Sequence, residues 1–220
     1  MMGSFGRFLE LSLPAGDVLH SLRFYRSLGF GELPTGDIRR WHYAVVSGSG
    51  LALGLHGGGI AEPALCFVRP GLAEQARRLG AEEFHELALR SPDGHLVLLL
   101  EARTFSPGAA EEDAVALLGR EAELVLDCAE LATSRAFYEA AGFIGPGADE
   151  TREEDGLALH GAGLRLVLRE ARRPGGLALR FPHPEPASLV AGLEARGLAP
   201  GRLAGGLQLR SPEGLQLLVG

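Results

Sequence analysis

Leu9, Leu11 and Leu13 alternate with Phe8, Glu10 and Ser12 near the start of the chain, the period-two pattern of a strand with one face on a core. Pro14-Ala15-Gly16 makes a turn, and Asp17 then stands where its carboxylate can accept from the first free amides of a helix. Val18, Leu22, Tyr25 and Leu28 follow at helical spacing, and Gly29 ends the helix because glycine adopts the left-handed conformation at little cost. The same grammar returns in ELVLDCAELATSRAFYEAAGF, 123–143, as a copy of ELSLPAGDVLHSLRFYRSLGF, 10–30. Setting Phe24 on Phe137 gives an offset that holds without a gap from Arg7/Arg120 to Leu55/Leu168, through Glu10/Glu123, Leu11/Leu124, Ser21/Ser134, Gly29/Gly142 and Gly50/Gly163. A fixed offset over this length is an internal duplication.

The pattern predicts further strands at 38–47 and 51–56 about Gly48-Ser49-Gly50, a short apolar strand at 64–68, and a helix over 72–79. A hairpin joins 86–90 to 95–100 around Ser91-Pro92-Asp93-Gly94, where proline and glycine suit a tight turn. Residues 103–120 have no counterpart in the repeat and read as a linker with a short helix. The second half predicts strands at 121–126, 156–160, 164–169 and 177–181, helices at 131–141 and 186–196, and a hairpin of 207–210 with 215–219 around Ser211-Pro212-Glu213-Gly214. Each half therefore carries two strand-helix-strand units.

With 220 residues, 46% of them hydrophobic, the chain can bury a substantial core. Its 28 acidic residues outweigh 21 basic ones, all of them arginine; tracking a phosphate backbone needs clustered cations, so no nucleic-acid partner is expected. Cys66 and Cys128 give no disulfide framework and no metal-type spacing. No apolar stretch reaches membrane-spanning length, so the expectation is a cytoplasmic protein with no membrane partner.

FYRSLGF at 24–30, FYEAAGF at 137–143, SPDGHLVLLLE at 91–101 and SPEGLQLL at 211–218 resemble the vicinal oxygen chelate superfamily, the glyoxalase, bleomycin resistance protein and extradiol dioxygenase group, over nearly the whole chain outside the linker. The resemblance implies an α+β fold of four βαβββ modules, forming two glyoxalase/bleomycin-resistance-like domains with curved mixed sheets enclosing a cavity. The expected domains are 1–102 and 121–220, joined by the linker 103–120. Enzymes of the superfamily hold a divalent metal through His, Glu or Gln from the first and last strands of their modules. Carried over by position, the first-strand ligand falls on Glu10 and Glu123, whereas the others fall near Ala52 or Gly54, Pro63 or Ala64, Leu98, Arg165 or Val167, Leu177 and Leu218. From these positions no catalytic metal and no cofactor is expected. A divalent-metal-dependent lyase, isomerase or dioxygenase is the rival reading, and His56 with Glu10 is the only histidine-carboxylate pairing that could line one cavity.

On the face away from the leucines, the second half collects Glu121, Glu123, Arg165, Arg169, Arg180, Gln208, Arg210 and Gln216. Arginine forks around a concavity would suit a carboxylate or phosphate; the same residues could instead be a rim or internal ion pairs. In the first half the equivalent face is expected to be more apolar, with Ala52, Gly54, Leu65, Phe67, Leu96, Leu98 and Leu100, with Ser12, His42 and His56 as its polar members, and with Trp41 and Tyr43 flanking its mouth. This mix suits an aromatic or aliphatic molecule. The function expected is therefore binding of a small organic molecule in a concave pocket. A third reading makes the sheets a scaffold for subunit association, with a homodimer covering the mouths.

Overall fold

The computed structural model describes residues 4–35, 42–78, 86–102, 116–147 and 156–220. It builds β1 (Arg7–Pro14), α1 (Val18–Ser27), β2 (Gly31–Leu33), β3 (Tyr43–Gly48), β4 (Leu51–His56), β5 (Ala64–Arg69), α2 (Leu72–Arg78), β6 (Glu86–Arg90) and β7 (Leu96–Glu101) from the first half. The second half supplies β8 (Glu123–Cys128), α3 (Leu131–Ala140), β9 (Leu157–Gly161), β10 (Leu164–Glu170), β11 (Leu177–Phe181), a 3-10 turn (Pro186–Leu189) leading into α4 (Val190–Glu194), β12 (Gly201–Leu203), β13 (Gly206–Arg210) and β14 (Gln216–Val219). Two mixed seven-stranded sheets result, ordered β2-β3-β4-β1-β5-β7-β6 and β12-β13-β14-β11-β8-β10-β9. β5 pairs with β7, and β11 with β14, in parallel, beside antiparallel hairpins. The α+β class and the strand-helix-strand unit order agree with the expectation.

Local sequence accounts for these elements. In α1 the buried residues are Val18, Ser21, Leu22 and Tyr25, one face at helical spacing. The Asp17 carboxylate accepts from the His20 amide at 2.9 Å, the expected cap, and Gly29 closes the helix at φ 89°. The predicted helix from Pro186 is instead broken into a 3-10 turn and the short α4, with no side-chain cap at either start and with Gly192 inside α4, a residue that costs a helix interior roughly 1 kcal/mol. Of the proposed linker helix, 103–115 lies outside the described residues, and 116–120 form turns. The short edge strands β2 and β12 lack any period that would have announced them.

The chain divides into two compact units. One comprises Met1–Leu11, Pro63–Ser106 and Leu126–Gly176; the other comprises Ser12–Glu62, Pro107–Val125 and Leu177–Gly220. Each takes part of both halves of the repeat, and in each the SP(D/E)G hairpin of one half meets the FY helix of the other. In the first unit the Asp93 carboxylate accepts from the Ala129 amide at 2.7 Å and from the Ser134 hydroxyl at 2.5 Å, at the start of α3. In the second, the Tyr25 hydroxyl donates to Glu213 at 3.2 Å. Burial, and after it the Glu213 charge, pushes the Tyr25 phenol well above its ordinary range. The co-occurrence of these two motifs in the sequence thus has a structural cause: the turn acid of one anchors the helix of the other.

Glu130, the N-cap residue of α3, makes no side-chain cap bond of its own, and Asp93 adds its carboxylate to that end of the helix. Asp93→Ala is expected to lower unfolding free energy by about 1–2 kcal/mol in urea denaturation, and Asp93→Asn by roughly half of that. No loss for asparagine would show that charge has no part in the contact.

The core of the first unit is aromatic. Phe67 packs on Phe5, Phe8 and Phe143 at ring-centroid separations of 5.1, 5.5 and 6.3 Å, and Phe5 meets Phe137 at 5.9 Å. On the other side of the sheet Ala64, Cys66 and Leu98 cluster with Leu9 and Leu96. The register explains the division, since Ala64 and Cys66 lie opposite Leu96 and Leu98, while Leu65 and Phe67 lie opposite Val97 and Leu99. Leu65 and Phe67 therefore do not share a face with Leu96 and Leu98 as expected. The strand ALCFVR is apolar on both sides, so its alternation carries no information about which side faces which layer.

Candidate functional site

The second unit holds a polar face built on β11, β14 and β13. Leu179, Phe181, Leu207, Leu209, Leu217 and Val219 are all buried, which leaves the alternate positions to the other side. Strand register sets these in two rows: Arg180, Leu218 and Gln208 in one, Ala178, Gln216 and Arg210 in the next. At the end of the first row Arg180 meets Glu123 of β8, Nε donating to Oε2 at 2.5 Å. The pair is largely withdrawn from water, with side-chain exposures of 15% for Arg180 and 4% for Glu123. Gln208 and Gln216 are half-buried beside it, and Arg210 is exposed, with Nη1 donating to the Gly214 carbonyl at 3.5 Å.

The first unit holds a second basic face on β10. Arg165 stands opposite His160 of β9, and Val167 opposite Ala158. Arg169 is engaged by Asp127, with Nε and Nη2 donating to Oδ1 at 2.8 and 2.7 Å. Asp127 was not among the expected residues: the sequence pattern displays arginines but not the carboxylates that answer them. Glu10, in the same unit, is 4% exposed.

His56 belongs to the second unit and packs its ring on Tyr43, its register partner, at 4.6 Å. Trp41, expected near a cavity mouth, lies outside the described residues, as does His85. The structure thus sets Glu123, Arg180, Gln208, Gln216 and Arg210 on one polar face of the second unit, with His56 elsewhere in that unit and Glu10 and Arg165 in the first.

Among the described residues no group of three or more His, Cys, Asp or Glu side chains is placed to hold a metal ion. At Glu123 the arrangement also works against one: the guanidinium of Arg180 occupies a carboxylate oxygen and repels a second cation at that point. The described donors therefore do not fit a catalytic divalent metal held by His and carboxylates. No described helix is long and apolar enough to cross a membrane.

No family model matches the sequence, and neither does any curated protein. Solved structures do match the fold. A Mn(II)-bound glyoxalase from Novosphingobium aromaticivorans is 15% identical with a TM-score of 0.58, covering 97% of this chain and 81% of its own. The 2,3-dioxygenase LapB from Pseudomonas sp. KL28 is 13% identical with a TM-score of 0.59, covering 100% and 93%. An extradiol ring-cleaving dioxygenase from B. fuscum is 16% identical with a TM-score of 0.63, covering 98% and 71%. These likenesses correct one expectation: a solved protein of the same fold carries Mn(II), so the expected absence of any cofactor does not stand. The repeated units, the two mixed sheets and these matches together give the chain the fold of the vicinal oxygen chelate superfamily, that of glyoxalases and extradiol dioxygenases.

Proposed function

We propose that the polar face of the second unit binds a small organic molecule carrying an anionic group. The observation that carries this reading is the withdrawn Arg180–Glu123 pair, flanked in register by Gln208 and Gln216 on the side of the sheet opposite the buried leucines. A guanidinium held in place by a buried carboxylate is an oriented cation, and a carboxamide offers both a donor and an acceptor. Arg210 stands at the rim of the same face, where it would attract an anion without anchoring it. Arg165 with His160 offers a second basic face, in the first unit.

A second reading is favoured by the neighbours: the glyoxalase binds Mn(II) and the others are dioxygenases, which supports a divalent-metal-dependent lyase, isomerase or dioxygenase acting on such a molecule. Melting curves with a panel of aromatic and aliphatic organic acids, each with and without Mn(II), separate the two. The first reading expects a rise in melting temperature with an acid, and roughly tenfold weaker binding in Arg180→Gln. A rise with Mn(II) alone that disappears in Glu10→Gln or Glu123→Gln would put the metal-dependent reaction first. No response to either class of ligand would sink both.

A further inference from the structure

The first half carries a counterpart of the polar face of the second unit. Its strand register sets Cys66, Leu98 and Ala88 in one row and Ala64, Leu96 and Arg90 in the next. In the second half the same rows read Arg180, Leu218 and Gln208, then Ala178, Gln216 and Arg210. The pairing is parallel for the inner strands and antiparallel for the hairpin in both, so the positions correspond one to one. Three of the six change from apolar to polar: Cys66 to Arg180, Ala88 to Gln208 and Leu96 to Gln216. In the first half this face closes as an apolar cluster, Ala64, Cys66 and Leu98 with Leu9 and Leu96. The same strand arrangement is built with either set, so folding does not require the arginine and the two carboxamides.

The three polar side chains stand around a leucine. Arg180 and Gln208 lie two strand spacings apart, about 10 Å between backbones, with the half-buried Leu218 between them. Gln216 precedes Leu218 by two residues on the same strand, diagonal to both Arg180 and Gln208. Glu123 takes the Nε of Arg180, and a guanidinium carries four further N–H groups. Across the sheet the face therefore runs from a cation over an apolar floor to carboxamides. A simple carboxylate would use only the first of these. Covering the two carboxamides without bonding them costs affinity, so a molecule that hydrogen-bonds them is preferred over one that does not.

We propose that this face selects bifunctional organic acids: a carboxylate at the Arg180 end, an apolar body over Leu218, and a hydrogen-bonding group at the far end for Gln208 and Gln216. The selection rests on the reading of the same face as an anion site. Calorimetric titration of the full chain with benzoate and with 4-carbamoylbenzoate tests it, since the two differ only in the group opposite the carboxylate. The wild type is expected to bind 4-carbamoylbenzoate roughly tenfold more tightly. Q208A/Q216L, which places the residues of the first half at these positions, is expected to lose that preference, and Gln208→Ala and Gln216→Leu singly to lose part of it. Arg180→Gln is expected to weaken both acids and keep the ratio between them. Circular dichroism checks that each variant is folded. Equal binding of the two acids by the wild type overturns the selection and leaves the anion site standing, as does a preference undiminished in Q208A/Q216L. Binding of neither acid overturns the anion site, and the selection with it.

Discussion

Arg180→Leu is expected to lower the unfolding free energy by about 3 kcal/mol, read as a shifted urea midpoint at neutral pH. The loss comes less from the missing attraction than from what remains: the Glu123 carboxylate, 4% exposed, is left without this guanidinium in a place that water barely reaches. The double variant Glu123→Leu with Arg180→Leu should recover most of that loss, since replacing a buried pair with apolar groups is often neutral or stabilising. If the single change costs under about 1 kcal/mol, the pair is solvated as a surface bridge is, and the oriented cation on which ligand binding rests is gone too. Arg180→Lys isolates the second point, because it keeps the charge and gives up the planar fork. It should fold nearly as well as the wild type and bind an organic anion less tightly.

Phe67→Ala is expected to cost about 3–5 kcal/mol, the largest effect of any single change considered. Phe67 is fully buried and touches the rings of Phe5, Phe8 and Phe143, which come from the segment before β1, β1 itself and the turn after α3. Removing the ring leaves a void lined by three large side chains anchored on separate backbone segments, which cannot all move in to fill it. Phe67→Leu retains much of the volume and should cost no more than about 1.5 kcal/mol. Similar losses for alanine and leucine would mean that ring geometry, rather than volume, holds this cluster together.

The duplication was legible because identical residues at one offset need no structural knowledge to detect. α1 was legible because Asp17, the apolar spacing and Gly29 agree with one another, and Asp17 does cap the helix. β5 was misread for the opposite reason: with Ala64, Leu65, Cys66 and Phe67 all apolar, only its parallel register with β7 decides that Phe67 faces the aromatic cluster. The polar residues were legible as types and positions but not as partnerships. Arg169 is engaged by Asp127, a residue of unremarkable sequence context 42 positions away. The cofactor expectation failed differently: it rested on positions lacking ligand-type side chains, which says nothing about what proteins of the same fold are known to carry. A signal for the Asp93 and Glu213 anchors was present, since an acidic residue fills the same place in both turns. What the sequence withheld was which helix each turn would reach.

The contact between Tyr25 and Glu213 spans 188 positions, and this sets the order of events during synthesis. The second unit cannot close on α1 until the last hairpin, 207–219, has left the ribosome, because β11, β13 and β14 all come from the final part of the chain. Contacts this distant in sequence carry a large loop-closure cost and fold slowly. Until then α1 and β2–β4 emerge early and wait with their apolar faces uncovered, as partly made chains of this size commonly do. Loss of 207–219 would therefore leave α1 and β2–β4 without the strands that complete their unit.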